Sequence, residues 1–521
     1  MLLERRVPCP RPGPARVRLP RLPGVMLVVL SAVAVGATSC TGPVAHARLA
    51  DIPLIARTHP PAAATAVLTG SPDVLAAELA RELFASAPVV VVADGSSPAA
   101  VPAAAILAER THAPLLLTSS RAGAGAGSAV LRAEVRALRP RAVLSVGLAR
   151  QVLAAQLPGI NVVTSLAMLP RTSGPPPLHR VVVLVHQGSG AAVAATATAR
   201  VAGARVVFVR GYDPRASSTA ISALAAARPT HVLAIGAGFG PAGRLAARVT
   251  VAATGVQLPG GGQVLFPGHR LVALYGYPGT PGLGALGQQG LAASIARVRR
   301  AAAPYRALSD VPVVPTFEII ASVAQGPRDP GPDGSYSYES SVASLRPWVR
   351  RATAAGMYVV LDLQPGRASV LAQARKYAPL LRLPNVGLAV DPEWKLQPSQ
   401  LPLHQIGGVS IAEVNSVIRW LARLTARYHL PQKLLVLHQF RLSMIRGERW
   451  LNTRQDDLAI LIHMDGQGTP TEKRETWAAV LGAAPAGVFF GWKDFYQKDH
   501  PMLSPEQTMA RTPQPVMISY Q

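Results

Sequence analysis

Three features of the sequence predict an α/β protein in two parts. Six short, almost continuously apolar runs between residues 89 and 236 alternate with Ala- and Leu-rich segments, which is typical of parallel strands covered by helices on both faces. These runs repeat at an offset of about 90 residues, so the region contains two similar units. From Leu271 to Gln521 eight further apolar runs recur at helix-length intervals, which predicts a (β/α)8 barrel of the TIM type.

Residues 1–39 have the pattern of a signal peptide. Six arginines precede the apolar stretch from Gly24 to Ala37, which is too short to span a bilayer. This stretch leads through small residues to Cys40, and the junction resembles the lipobox of bacterial lipoproteins. The resemblance implies that Cys40 is the acylated first residue of an exported, membrane-anchored protein. An ordinary signal peptide that is cut nearby is the alternative.

The composition limits the partners and the chemistry. Removal of residues 1–39 would leave Cys40 as the one cysteine of the mature chain, so neither a disulfide nor a cysteine nucleophile is expected. The net charge is +25 and comes from arginine, with only six lysines. This charge favours attraction to an anionic wall polymer or membrane, with the codon bias of a GC-rich genome as the alternative explanation. Basic runs are not interleaved with aromatic residues, so nucleic acid is not an expected partner.

The first 270 residues divide into four predicted segments. The proline-rich residues 40–65 follow the signal peptide as a tether, residues 66–256 form the two-repeat α/β module, and the glycine-rich residues 257–270 form a linker. Within the module the strand candidates are 89–94, 115–119, 142–147, 181–186, 205–211 and 231–236.

The two repeats share a sequence motif. The sequence LRPRAVLSVG (138–147) matches ARPTHVLAIG (227–236), and His112-Ala113-Pro114 introduces the preceding LLLT strand. This arrangement resembles the type-2 cell-wall-binding repeat of actinobacteria and clostridia, whose members usually carry three repeats where this chain shows two. The resemblance implies α/β units that attach without covalent bonds to an anionic wall polymer.

Nearly every apolar run of the barrel region ends on a polar or charged side chain. Because the carboxyl ends of barrel strands meet at one face, these side chains are expected to converge at the barrel mouth. They are Tyr275, Glu318, Asp362, Asp391 with Glu393, His438, Asp465, Lys493 and Tyr520. Carboxylates at four of the eight ends predict an enzyme with an acidic site, and glycoside hydrolysis is the first reaction to consider.

The segment Asp391-Pro392-Glu393 is the strongest single signal for catalysis. On a strand, residues i and i+2 face the same side, and two close carboxylates raise the pKa of one of them, which can then act as a general acid. An Asp-x-Glu pair at this strand resembles the arrangement in retaining barrel hydrolases that cut chitin and peptidoglycan glycans. The resemblance implies that Glu393 is the acid and Asp391 its partner. The alternatives are a salt bridge to Lys395 or to an arginine, and a turn aspartate before a proline.

Three other carboxylates are candidates for catalysis because each follows an apolar run. They are Asp362, Glu318 and Asp465. The alternatives are a helix cap for Asp362, a position inside the barrel for Glu318 and a plain turn for Asp465.

Substrate contacts are expected from side chains at the same strand ends. Sugar sites commonly combine aromatic rings with a few polar groups. The candidates are Tyr275, Trp394, His438, Trp492 and Lys493, together with Tyr336 and Tyr338 of the Gly/Pro-rich loop 326–340, which could act as a lid.

A metal site is not expected, although His438 and His463 lie near acidic strand ends, because neither H-x-H nor HExxH spacing is present. We expect no cofactor. The sequence therefore predicts a monomeric, lipid-anchored actinobacterial glycoside hydrolase that cuts a cell-wall polysaccharide. The alternatives are a non-catalytic glycan-binding lipoprotein, a metal-dependent hydrolase, and a lipoprotein that binds a small ligand between its two α/β units.

Overall fold

The computed structural model describes residues 52–118, 126–187 and 192–521. The signal peptide, Cys40 and most of the predicted tether lie outside the described residues. In the described part of the chain no helix combines the length and the apolar character needed to cross a membrane.

Eight parallel strands close into a barrel, as the sequence predicts. Each strand pairs with its neighbour in parallel register, and the last strand pairs with the first through Met517 and Leu271. In chain order the strands are Arg270–Gly276, Val313–Ala324, Tyr358–Leu363, Val386–Val390, Lys433–Gln439, Leu458–Met464, Phe489–Asp494 and Met517–Tyr520. Closure leaves no unpaired edge among these strands, so their backbone groups are satisfied within the sheet.

Helices cover the outside of the barrel, with one interruption. The α-helices are Leu291–Ala302, Val342–Ala354, Val370–Lys376, Ala378–Leu381, Ile411–Arg427, Pro470–Ala483 and Pro505–Met509. The connection between the fifth and sixth strands contains short 3-10 turns, Leu442–Met444 and Glu448–Trp450, in place of an α-helix. The fold therefore departs from strict β/α alternation at this one connection.

Side-chain alternation along the strands separates two cores. In the first strand Val272 and Leu274 pack toward the helices, whereas Leu271 and Ala273 pack inside the barrel. The interior layer consists mainly of aliphatic residues from most strands, together with Tyr358 and Met517. Burial of an aliphatic side chain contributes roughly 1.5–3 kcal/mol. The strand members of this layer are Leu271, Ala273, Val314, Tyr358, Val360, Ala389, Leu434, Val436, Ala459, Leu461 and Met517. The next inward positions toward the carboxyl ends are polar, and they form the candidate site.

The N-terminal part contains two four-stranded parallel sheets with equivalent strand order. The first sheet, in spatial order, is Leu115–Thr118, Val89–Asp94, Ala142–Val146 and Val162–Val163. The second is Arg205–Val209, Val181–His186, His231–Ile235 and Thr65–Leu68. All six strands predicted here are present, with ends shifted by at most two residues. The strand that completes the second sheet comes from the start of the module.

Seven α-helices accompany these sheets in the described residues: Pro72–Leu83, Ala100–Arg110, Ala126–Leu138, Arg150–Gln156, Ala192–Val201, Ser218–Ala227 and Ala242–Ala252.

Two segments that the sequence assigns to connections are ordered parts of the fold. Within the predicted tether, Leu54–Ile55 and Arg57–Thr58 form short strands that pair with Thr172–Ser173 and Phe84–Ser86. Within the predicted linker, Leu265 and Phe266 pack into the interior core of the barrel. Proline content predicted the tether and glycine content the linker, but strand pairing holds the first segment in place and the buried side chains of Leu258, Leu265 and Phe266 hold the second.

An ion-pair network joins the second α/β unit to the barrel. Oδ2 of Asp456, just before the sixth barrel strand, lies 2.9 Å from Arg215 Nη2 and 2.9 Å from Arg248 Nε. Arg215 is 2% exposed and also pairs with Asp213. Burial alone would raise the pKa of Asp456, but the hydrogen bond from Arg248 and the charges of both arginines lower it. The network therefore stabilises the contact between the two parts.

We expect Asp456→Asn to destabilise the protein by about 2 kcal/mol, because it removes the charge shared by two partly buried guanidinium groups. The measurement is the urea midpoint of unfolding at pH 7. The matched control is Asp457→Asn, since Asp457 forms no ion pair in the described residues. Equal midpoints for the two variants would show that the network does not stabilise the fold.

Candidate active site

A layer of polar side chains lies directly above the apolar interior of the barrel. It brings together seven residues predicted from strand ends, which are Tyr275, Glu318, Asp362, Asp391, His438, Asp465 and Lys493. Glu318, Asp362 and His438 are 0% exposed, and Asp465 is 9% exposed. The strands position these groups on their inward faces, six of them at the carboxyl end or within two residues of it. Glu318 is different, because the second strand does not end there as predicted but continues to Ala324, so Glu318 lies in its middle, paired with Tyr275 of the first strand.

His438 is the centre of the cluster. Its Nε2 donates to Oε1 of Glu318 at 3.1 Å and lies 3.9 Å from Oδ1 of Asp362. Its Nδ1 lies 3.2 Å from Oδ2 of Asp465, in an ion pair without the alignment of a hydrogen bond. Burial alone would lower the pKa of His438, but the charges of Glu318 and Asp465 raise it well above its usual range. His438 is therefore an imidazolium held between two carboxylates.

Lys493 supplies the second positive charge. Its Nζ lies 3.1 Å from Oδ1 of Asp465 and 3.6 Å from the ring centroid of Tyr275. Burial alone would raise the pKa of Asp465, but Lys493 and His438 lower it below its usual range. Burial would likewise raise the pKa of Glu318, which His438 lowers. Glu318, His438, Asp465 and Lys493 thus form a chain of alternating charges.

The remaining carboxyl groups retain protons more readily. Burial raises the pKa of Asp362 to about 6, and Oδ2 of Asp362 accepts a hydrogen bond from Tyr275 Oη at 3.0 Å. Burial also raises the pKa of Asp391 well above its usual range. The site therefore combines ionised carboxylates with carboxylic acids, and such a division is typical of acid/base catalysis.

Glu393 reaches the site by a different geometry from the one predicted. The fourth barrel strand ends at Val390, and Asp391 caps the 3-10 turn Pro392–Trp394 by accepting the Glu393 N–H at 3.2 Å. The expectation that the two residues share one strand face is therefore wrong. Burial raises the pKa of Glu393, the negative charge of Asp465 raises it further, and Lys493 is the largest of the opposing influences.

Glu393 lies at the wall of a cavity of about 310 Å³ beside the barrel mouth. This volume is in the lower part of the range for small-molecule sites. The cavity is lined by Glu393, Trp394, Leu396, Pro402, Leu403, His404, Gln405, Ile406 and Arg441. Trp394 is half-buried there, as expected for an aromatic side chain available to a ligand. Arg441 belongs to the connection that lacks an α-helix.

Three predicted aromatic contacts lie elsewhere. Trp492 is fully buried and packs 5.6 Å from Trp477, because Lys493 takes the inward position and Trp492 must face the helices. The Tyr336 ring is buried beneath the Arg367 guanidinium. Tyr338 is exposed on the strand Ser337–Glu339, which pairs antiparallel with the second barrel strand. The predicted lid is thus partly a hairpin extension of the sheet.

The eighth strand contributes a different residue from the predicted one. Tyr520 faces the helices and its hydroxyl lies 2.6 Å from that of Tyr305. The inward residue is Ser519, whose hydroxyl lies 2.7 Å from Nε2 of His463. Burial lowers the pKa of His463 to about 3, so this histidine is neutral. The prediction that Tyr520 faces the mouth is therefore wrong by one residue, because successive side chains of a strand point to opposite faces.

Sequence reasoning missed two supporting groups. Gln364 donates from Nε2 to Tyr275 Oη at 3.1 Å, and its position two residues after Asp362 was a usable signal. Lys473 donates to the Lys493 carbonyl at 2.7 Å and pairs with the buried Asp499. Lys473 lies in the helix Pro470–Ala483 with no pattern that marks it, so only the tertiary structure identifies it as a support for Lys493.

No group of three or more His, Cys, Asp or Glu side chains suited to a metal ion is found among the described residues.

No family model and no curated protein matches the chain. A solved structure similar to it is the radical S-adenosylmethionine methyltransferase TsrM from Kitasatospora setae, with tryptophan substrate and a SAM analogue bound. The identity is 12%, the match covers 78% of this chain and 73% of that chain, and the TM-score is 0.18. This similarity is too low to support an inference about fold or activity.

We expect stability to fall as pH rises from about 4 to about 6, partly through Asp362. Its pKa is about 6 in the folded protein and about 4 in the unfolded chain, so the folded state holds an extra proton in this window. In the variant Asp362→Asn the free energy of unfolding should decline less between pH 4 and pH 6, by up to about 3 kcal/mol. Urea unfolding at pH 4, 5 and 6 measures this free energy for the variant and the unaltered protein.

The control for the pH experiment is Glu475→Gln, which removes a carboxylate from the exposed surface of the helix Pro470–Ala483. Its profile should run parallel to that of the unaltered protein. A parallel profile for Asp362→Asn as well would show that Asp362 does not hold the extra proton.

Proposed function

We propose that the barrel is a glycoside hydrolase of the cell envelope that cuts a wall polysaccharide by paired-carboxylate catalysis. One observation carries the proposal: Glu393, a carboxyl group with a raised pKa, lines a cavity and is electrostatically coupled to the ionised Asp465. One protonated and one ionised carboxyl group are what glycosidic bond cleavage requires.

In the proposed reaction Glu393 is the general acid. It gives its proton to the glycosidic oxygen as the bond between that oxygen and the anomeric carbon breaks. Asp465 is the ionised partner and stabilises the positive charge that develops at the anomeric carbon, either by attacking it or by activating water. The hydroxyl group of water completes the product, and its remaining proton returns to a site carboxylate. Asp391 supports Glu393 by fixing the turn that carries it.

The other strand-end residues hold this arrangement in place. Lys493 and His438 keep Asp465 ionised, and Tyr275 orients Asp362. The half-buried Trp394 offers an apolar surface to a sugar ring at the cavity wall. In this role Glu318 and Asp362 are positioning groups, since both are fully buried and neither lines the cavity.

Three observations support placement at the cell wall. The junction before Cys40 resembles a lipobox, the two α/β units resemble cell-wall-binding repeats, and the chain carries a net charge of +25. We propose a monomeric, lipid-anchored protein whose N-terminal module holds it against an anionic wall polymer. The equivalent strand order of the two sheets agrees with a repeated unit.

Glycan binding without catalysis is a second candidate function. It is favoured by the tight pairing of Asp465 with Lys493 and His438, because a carboxylate held by two cations is a weak nucleophile and a weak base. Such a protein would use the cavity and Trp394 for recognition only.

We expect the mature protein to release reducing ends from actinobacterial wall fractions, and Glu393→Gln to lower the rate by about 100-fold or more, since the amide cannot donate the required proton. Wall binding, measured by co-sedimentation, should be unchanged in this variant. Glu475→Gln is the control for loss of a surface carboxylate and should retain full activity.

Two outcomes would contradict the proposed reaction. If Glu393→Gln and the unaltered protein release reducing ends at equal rates, Glu393 is not the general acid. Binding of the wall fraction with no release by either protein would favour the glycan-binding function.

A further inference from the structure

A strip of five arginines lies on the outer surface of the barrel, away from the candidate active site. Its members are Arg375, Arg382, Arg419, Arg423 and Arg427, and all five are exposed. They line two adjacent cavities of about 250 Å³ and 210 Å³ that share Arg423. The helix Ile411–Arg427 begins after the fourth strand ends and finishes before the fifth begins, so its last turn lies at the end of the barrel opposite the mouth.

The spacing of the strip is regular along one helix. Arg419, Arg423 and Arg427 follow one another at intervals of four residues, so they share a face with a separation of roughly 6 Å along the axis. Like charges at this spacing repel each other and destabilise a helix. The one carboxylate of this helix, Glu413, lies in its first turn and pairs with Lys395.

These charges are not neutralised within the protein. None of the five arginines forms an ion pair with a carboxylate in the described part of the chain. Asp457 lines the second cavity beside Arg419 and Arg423, but it is outside ion-pair distance of both. The negative end of the helix dipole favours Arg427 near the last turn, but the dipole effect does not reach Arg419.

Aromatic rings fix the guanidinium groups of the larger cavity. Arg382 lies over the Tyr428 ring at 4.7 Å and Arg427 at 5.8 Å, and Trp420 lines the same cavity. Stacking on a ring leaves the N–H groups at the guanidinium edge available to an anion. It also restricts the arginine side chain before binding, which lowers the conformational entropy lost when an anion binds. Two of the four arginines of this cavity, Arg382 and Arg427, are thus preorganised donors.

We propose that this strip binds a polymer that carries repeated phosphate groups. The oxygen atoms of phosphate point in tetrahedral directions, so one phosphate can accept hydrogen bonds from arginines on the different helices that line the larger cavity. The regular line of arginines continues into the second cavity, which suits a repeated anion better than a single ion. This site is independent of the proposed hydrolysis.

The test measures binding of long-chain inorganic polyphosphate to the mature protein at several salt concentrations. The strip variant combines Arg382→Gln, Arg423→Gln and Arg427→Gln. Its matched control combines Arg299→Gln, Arg300→Gln and Arg306→Gln, which removes the same charge from exposed residues at and after the end of another barrel helix. We expect the strip variant to bind polyphosphate at least about tenfold more weakly than the unaltered protein, with a shallower dependence of affinity on salt. The control variant should lose much less affinity.

Two further arms identify the source of the phosphate. Orthophosphate at equal phosphate concentration should compete poorly, and vesicles of phosphatidylglycerol should bind without dependence on the strip. Vesicle binding that requires these arginines, together with no binding of polyphosphate, would overturn the proposal in favour of a membrane surface. If the strip and control variants lose the same affinity for polyphosphate, or if neither loses any, the proposal would be overturned in favour of general charge attraction.

The single variant Arg423→Gln guards against misfolding of the triple variant. Arg423 is exposed and lines both cavities, so its loss should weaken polyphosphate binding without lowering the thermal unfolding midpoint. Unchanged binding in this variant would also count against the proposed site.

Discussion

A positively charged histidine inside the barrel is the constraint on which the rest of the site depends. His438 is fully buried and lies between Glu318 and Asp465 at hydrogen-bonding and ion-pair distances. A charge in this position would be very costly without its partners, because desolvation of an ion costs several kcal/mol. The carboxylates in turn require His438 and Lys493. These four charged side chains stabilise one another, so removal of any one of them would leave a buried charge without its partner.

The same electrostatic arrangement divides the carboxyl groups into two kinds. Asp465 and Glu318 lie next to cations and have lowered pKa values, whereas burial dominates for Asp391 and Glu393 and raises theirs. Three of these groups lie just beyond the carboxyl ends of barrel strands and Glu318 lies within the second strand, yet Asp465 and Asp391 differ in pKa although both directly follow a strand end. Position along a strand therefore does not set their protonation. Burial favours the protonated form and the charges of Lys493 and His438 favour the ionised form, and the balance between them decides which group can hold a proton at neutral pH.

The two cation types have different places in this chain. Lys433, Lys473 and Lys493 are three of only six lysines, and each is at most 2% exposed. Lys433 donates to the carbonyls of Leu383 and Val386, and Lys473 donates to that of Lys493. The compact ammonium group fits such buried sites, where a planar guanidinium would leave donors without partners. Arginine instead supplies the surface charge, including the strip on the barrel helices.

The sequence by itself determined the strands and, for most of them, the inward face. Apolar runs with a polar residue at the end specify both, because side chains alternate along a strand and barrel strands run in parallel, so Glu318, Asp362, His438 and Lys493 could be placed at one face. Only the tertiary structure decided the turn at Glu393, the burial of Trp492, the packing of residues 257–269 and the pairing of Asp456 with two arginines. These features depend on contacts between residues far apart in the chain, and no local pattern records which distant side chain fills a given space or balances a given charge.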